Sequence, residues 1–185
     1  MNHERLTEIE SRVRETLQEV MLRCFKEGRK DGEWTAEIKR GLTALGRCFG
    51  YKVRGAYPDR VDHFEDGWVW DLAWVEVQNG TRADLADGNM MEVPLALESE
   101  WNTSLENEIL WDFQKPLIGR IGLRVMIFQA ASSDKASRCF DRLTQEVRQY
   151  SATKAGDRYL IACWLFGAGG QRLEFRELEC PDVST

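Results

Sequence analysis

The sequence predicts an α/β fold: a mixed central sheet flanked by helices, with an extra N-terminal helix and a C-terminal hairpin. Three observations carry this. Two helical stripes of period near 3.6 open the chain, three strand-like segments follow in succession, and a continuous apolar run at 123–130 comes after an intervening helix, as expected of a strand buried on both faces. The 185 residues suit one domain, with a first helix at 1–30, a core at 33–130, and a helix plus hairpin at 131–185.

The first helix is expected over 4–26, where Leu6, Ile9, Val13, Leu17, Val20 and Cys24 form one stripe. Their near-heptad spacing is compatible with self-packing and with a homodimer contact through this helix; self-packing is the commoner case. After a break at Lys30, Asp31 and Gly32, a second helix places Trp34, Ile38, Leu42, Leu45 and Phe49 inward and ends at Gly50. Lys39, Arg40 and Arg47 give it a basic flank, and Glu37 lies beside the apolar stripe. A strand at 51–57 leads to a polar loop with the turn signal Asp66-Gly67.

The next strand, 68–78, puts Asp71 on a face with Val69, Ala73 and Val75. An acid on such a face requires a partner: a basic side chain, a set of amides or a metal. Trp68, Trp70 and Trp74 take the other face, as core or as a stacking surface for bases. A polar loop at 79–89 containing Asn79-Gly80 connects to the third strand.

That third strand and the helix after it, 92–115, form the centre of the functional argument. Val93, Leu95 and Leu97 alternate with Pro94, Ala96, Glu98 and Glu100, so both glutamates project from one strand face. Two carboxylates this close are unfavourable unless a cation, a proton or a hydrogen-bond donor relieves them. In the helix expected over 105–115, Leu105, Ile109 and Phe113 form the buried stripe. At about 100° per residue, Glu108, Asp112 and Lys115 fall within roughly 60° of one another, which carries the lysine toward the carboxylates or into a surface ion pair. Pro116 places Lys115 at the helix end. The run at 123–130, with Gln129 near its end, is expected to lie parallel to the preceding strand. A helix at 135–150 and strands at 159–166 and 172–179 close the chain, the last two joined by a glycine-rich turn.

The order helix, strand, strand, strand, helix, strand, with Asp71 on the second strand and Glu98-Ser99-Glu100 on the third, resembles the PD-(D/E)XK nuclease superfamily, the restriction-endonuclease-like fold. The resemblance covers 34–130. Glu100 stands where that family most often has lysine, and the combination of Glu98-Ser99-Glu100-Trp101 with a downstream Lys115-Pro116 looks like the variant in which the lysine has migrated to the following helix. It implies metal-dependent hydrolysis of phosphodiester bonds in nucleic acid, with DNA favoured over RNA. Asp71, Glu98 and the Ser99 backbone carbonyl would hold Mg²⁺, with Mn²⁺ as a substitute. Glu100 would bind a second ion or act as general base, Lys115 would orient water or offset developing charge, and Glu37 and Gln129 would be outer-shell residues. The alternative implied by Glu100 is a noncatalytic module that keeps the fold to bind nucleic acid or a protein. In that case the tryptophan-rich strand and the basic residues Arg29, Lys30, Lys39, Arg40, Arg47, Lys52 and Arg54 carry recognition through stacking and phosphate contacts.

The whole-chain numbers restrict other classes. A formal charge of −6 argues against a protein that coats nucleic acid through a generally basic surface. Only two histidines are present, His3 and His63, which disfavours a histidine-based zinc site or a Ser-His-Asp triad. Five scattered cysteines without a CxxC pair are expected to be reduced thiols. The start lacks a cleavable apolar segment, and no run approaches the roughly 18 apolar residues that span a bilayer, so no membrane association and a cytoplasmic location are expected.

Overall fold

The first helix, α1 (His3–Lys26), begins where the Asn2 side chain accepts a hydrogen bond from the Arg5 backbone N–H at 2.9 Å. That contact satisfies one of the donors every helix start leaves open. The second helix, α2 (Asp31–Cys48), begins where the Glu33 carboxylate accepts from the Lys30 backbone N–H at 2.8 Å. It stops where Gly50 adopts a left-handed φ of +84°, a conformation glycine tolerates without steric cost. The computed structural model describes residues 1–55, 69–78, 89–102, 106–167 and 171–181.

The remaining elements are β1 (Lys52–Arg54), β2 (Leu72–Gln78), β3 (Asn89–Glu100), α3 (Glu106–Leu117), β4 (Ile121–Ala130), α4 (Ser133–Gln149), β5 (Arg158–Leu165) and β6 (Arg172–Glu179). The strands form a six-stranded mixed sheet in sequential order from β1 to β6. β1 pairs antiparallel with β2, with Val53 opposite Trp74. β4 and β5 run parallel, Val125 opposite Leu160, joined through α4. β5 and β6 are antiparallel, with Ile161 opposite Arg176.

The chain gathers into two compact units: Met1–Ala96 with Arg120–Gly122, and Leu97–Gly119 with Leu123–Thr185. In the first, Ile9, Val13 and Leu17 of α1 and Leu42 of α2 are fully buried, and each such side chain contributes about 1.5–3 kcal/mol relative to exposure. The stripe expected for self-packing of α1 is therefore occupied within its own unit. Trp74 is also fully buried, its indole N–H donating to the Leu42 carbonyl at 3.1 Å and its ring lying 5.9 Å from that of Tyr51. It is core, not a stacking surface. Gly46 is there because the indole leaves no room for a side chain: a Cβ would lie 2.6 Å from Trp74 Nε1.

In the second unit, Ile109 and Phe113 of α3, Met126 and Phe128 of β4, Phe140 and Leu143 of α4, and Tyr159 and Ile161 of β5 share one core. The apolar stripes anticipated for α3 and α4 are thus the packed faces. Arg124, only 5% exposed, ties the end of α3 down, donating from Nε to the Pro116 carbonyl at 3.1 Å and from Nη2 to the Gly119 carbonyl at 3.0 Å. It also lies 3.3 Å from Asp157.

Three boundary differences bear on the candidate site. β2 starts at Leu72, leaving Asp71 immediately before the strand and Val69 61% exposed instead of sharing a buried face. α3 continues through Pro116 to Leu117. A proline near a helix end disrupts few backbone bonds, and Arg124 donates to the Pro116 carbonyl. β3 starts at Asn89 and is buried continuously from Val93 to Glu98, so its two faces do not separate into apolar and polar. The loop with Asp66-Gly67, Trp68, the loop with Asn79-Gly80, Leu105, and most of the glycine-rich turn lie outside the described residues. No helix is long and apolar enough to cross a membrane among the described residues.

Candidate functional site

Glu98 sits near the end of β3, where six successive buried positions give way to partial exposure, and is itself only 3% exposed. α3 brings Lys115 to it. The lysine Nζ donates to Glu98 Oε2 at 3.3 Å and lies 2.7 Å from Asp112 Oδ1, one helical turn back. Burial works against the Lys115 ammonium, but the Asp112 hydrogen bond and the charges of Glu98 and Asp112 outweigh it and hold its pKa above the ordinary lysine value.

Glu100 follows on the same strand and is half-buried. Burial pushes its pKa up, and the neighbouring charges of Asp112 and Glu108 act in the same direction, against the opposing hydrogen bond from the Asn102 backbone N–H. Asn102 also donates from its side chain to Glu108 at 3.0 Å, closing a ring of polar contacts between the strand end and α3. Gln129 donates from Nε2 to the Trp101 carbonyl. On the exposed side of α3, Trp111 and Ile118 are 73% and 71% exposed, one turn to either side of Lys115.

Asp71 belongs to the first unit and is considered there. Lys39 of α2 donates to its Oδ1 at 3.1 Å, with the lysine side chain 12% exposed and the carboxylate side chain 28% exposed. Lys39 is thus a basic partner of the kind an acid at this place requires. Glu37, two residues before Lys39 on α2, is 7% exposed and accepts from three guanidiniums: Arg23 at 3.1 Å, Arg29 at 3.0 Å, and Arg40. The Arg40 hydrogen bond is the largest influence, and together with the charges of Arg40, Arg29 and Arg23 it outweighs burial and lowers the Glu37 pKa.

The structure therefore brings Glu98, Lys115 and Asp112 together, places Glu100 beside Asp112 and Glu108, and gives Glu37 and Asp71 cationic partners from the helices. Sequence reasoning missed the pairing of Lys39 with Asp71, separated by 32 positions, and that of Arg23 with Glu37. No local pattern marks either, because both depend on how α1, α2 and the start of β2 pack. Asn102, linking Glu100 to Glu108, was also missed, although its place between a strand end and an acidic helix start was visible.

Among the described residues, no group of three or more His, Cys, Asp and Glu side chains is arranged to hold a metal ion. Magnesium prefers a near-octahedral set of oxygens. Of the carboxylates expected to hold it, Asp71 is bonded to Lys39 and Glu98 to Lys115. Compared with family models, with curated proteins and with solved structures, the chain matches none.

Proposed function

We propose that this protein is a noncatalytic nucleic-acid-binding module built on an α/β sheet of restriction-endonuclease-like type. The observation that carries the proposal is the pairing of Asp71, the acid expected on the second strand, with Lys39 at 3.1 Å. On this reading Asp71 serves the fold, and recognition passes to the basic residues of the first unit. Arg29 and Arg40 support this assignment, with side chains 33% and 47% exposed. Among the tryptophans, Trp111 presents its ring to solvent, whereas Trp74 is core.

Titration of a labelled oligonucleotide at several salt concentrations, with wild type and Glu98→Ala, is the test. The expected result is salt-sensitive binding that needs no divalent metal and survives the substitution. Calorimetry with Mn²⁺ and Mg²⁺ on wild type, Glu98→Ala and Asp71→Asn is expected to show no ion bound between the protein's carboxylates. A second reading, metal-dependent phosphodiester hydrolysis by a PD-(D/E)XK-like enzyme, is favoured by one observation: a helix-borne lysine reaches the strand acid, as the migrated-lysine variant requires. Metal-dependent cleavage abolished by Glu98→Ala would establish that reading and sink the first.

A further inference from the structure

The Glu37 cluster holds more positive charge than Glu37 needs. One guanidinium balances a buried carboxylate, yet Arg23 from α1, Arg29 from the connection and Arg40 from α2 all converge on it. Glu27 takes one further bond from Arg29 Nε at 2.7 Å. Three guanidiniums thus face two carboxylates, and their side chains remain 43%, 33% and 47% exposed. Each guanidinium carries five donors in a planar fork, and the bonds to Glu37 and Glu27 use one or two of them on each arginine.

We infer that Arg23, Arg29 and Arg40, clamped by Glu37, form a docking site for the phosphates of a nucleic-acid strand. This rests on the nucleic-acid-binding function proposed above and assigns it a place. The geometry suits phosphate because a guanidinium fork pairs with two phosphate oxygens at once. It suits a polymer over a small anion because the three arginine side chains stand a third to a half exposed; of the three, Arg23 alone lines the adjacent depression of about 380 Å³, together with Glu19, Leu22, Lys26 and Glu27. Glu37 acts as a positioning residue. Its ionised carboxylate fixes three flexible side chains in advance, and that ordering lowers the entropic cost of binding.

The test compares wild type with Arg23→Gln/Glu37→Gln/Arg40→Gln, in which removing the acid together with two arginines leaves no buried charge unpaired. Folding is verified by circular dichroism and a thermal melt. The probe is a fluorescent 20-residue oligonucleotide, single-stranded and duplex, titrated from low to moderate salt, with inorganic phosphate and poly-glutamate as competitors. The expected result is binding weakened on the order of tenfold or more, with a slope of log affinity against log salt shallower by about 1.4 for the single strand and about 1.8 for the duplex. Inorganic phosphate should compete only at high concentration. Wild-type binding with an unchanged slope in the variant would place the nucleic acid elsewhere and overturn this inference alone, leaving the binding function intact. Poly-glutamate competing as well as the oligonucleotide would reassign the face to an acidic protein segment. No binding by wild type would overturn both the inference and the function it rests on.

Discussion

Replacing Gly46 with alanine tests the packing of the first unit most directly. In an unobstructed helix interior the change should stabilise by about 1 kcal/mol, because glycine loses the most backbone entropy on folding. At this position the new Cβ meets Trp74 at 2.6 Å from Nε1, 2.8 Å from Cε2 and 2.9 Å from Cδ1. The indole has little freedom to retreat: it is fully buried, bonded to the Leu42 carbonyl at 3.1 Å, and flanked by Phe49 and Tyr51 at 5.8 and 5.9 Å. Overpacking costs about 1–3 kcal/mol, and losing the indole hydrogen bond adds about 1 kcal/mol. Set against the helix gain, the net expectation is a loss of about 1–3 kcal/mol. For a domain of this size that is a fall in Tm on the order of 2–10 °C. Urea unfolding followed by tryptophan fluorescence measures it, with Gly32→Ala as the control, since a Cβ there meets nothing within 4 Å. That control should be neutral or stabilised by up to about 1 kcal/mol. A Gly46→Ala protein as stable as wild type would show that the indole moves freely and refute the close-packing account.

Three further outcomes follow from the second unit and from the thiols. Arg124→Met removes the donors to the Pro116 and Gly119 carbonyls and the ion pair to Asp157; it should destabilise by about 3 kcal/mol in chemical denaturation, and a loss under about 1 kcal/mol would show that water replaces the guanidinium. Because the folded Glu100 pKa lies above the ordinary 4.5, its favourable contribution is present below 4.5 and is lost as pH rises through the raised value. Glu100→Gln should therefore be at least as stable as wild type at pH 7, with a flatter pH dependence above 4.5 in melts across pH 4–8; a steeper loss in the mutant contradicts this. Iodoacetamide should label exposed Cys48 in the native protein, while buried Cys24, Cys139 and Cys163, whose thiol pKa values burial raises, should react only after unfolding. Peptide mapping by mass spectrometry distinguishes them.

The α/β class, the order of the elements and most boundaries were legible because they rest on local periodicity. The stripe Ile9, Val13, Leu17 and the stripe Ile109, Phe113 are buried as their spacing requires. The carriage of Lys115 toward Glu98 was legible for the same reason, since a helix directly after a strand constrains where its side chains can point. Boundaries failed where tertiary contacts overrode a local rule: Pro116 stays helical with Arg124 donating to its carbonyl, and Asp71 lies before the strand, paired with Lys39.

What the sequence by itself determined is therefore the periodic part of the protein: which residues share a face, which segments are strands or helices, and that acids cluster at the end of β3. Only the tertiary structure decided which cations Asp71 and Glu37 receive. Lys39 reaches Asp71 across 32 positions, and Arg23, Arg29 and Arg40 converge on Glu37 from two helices and their connection. The reason is physical. Periodicity follows from backbone geometry over a few residues, whereas an ion pair depends on the packing of whole elements, and the same charged residue can be solvated, clamped or catalytic according to what that packing places beside it.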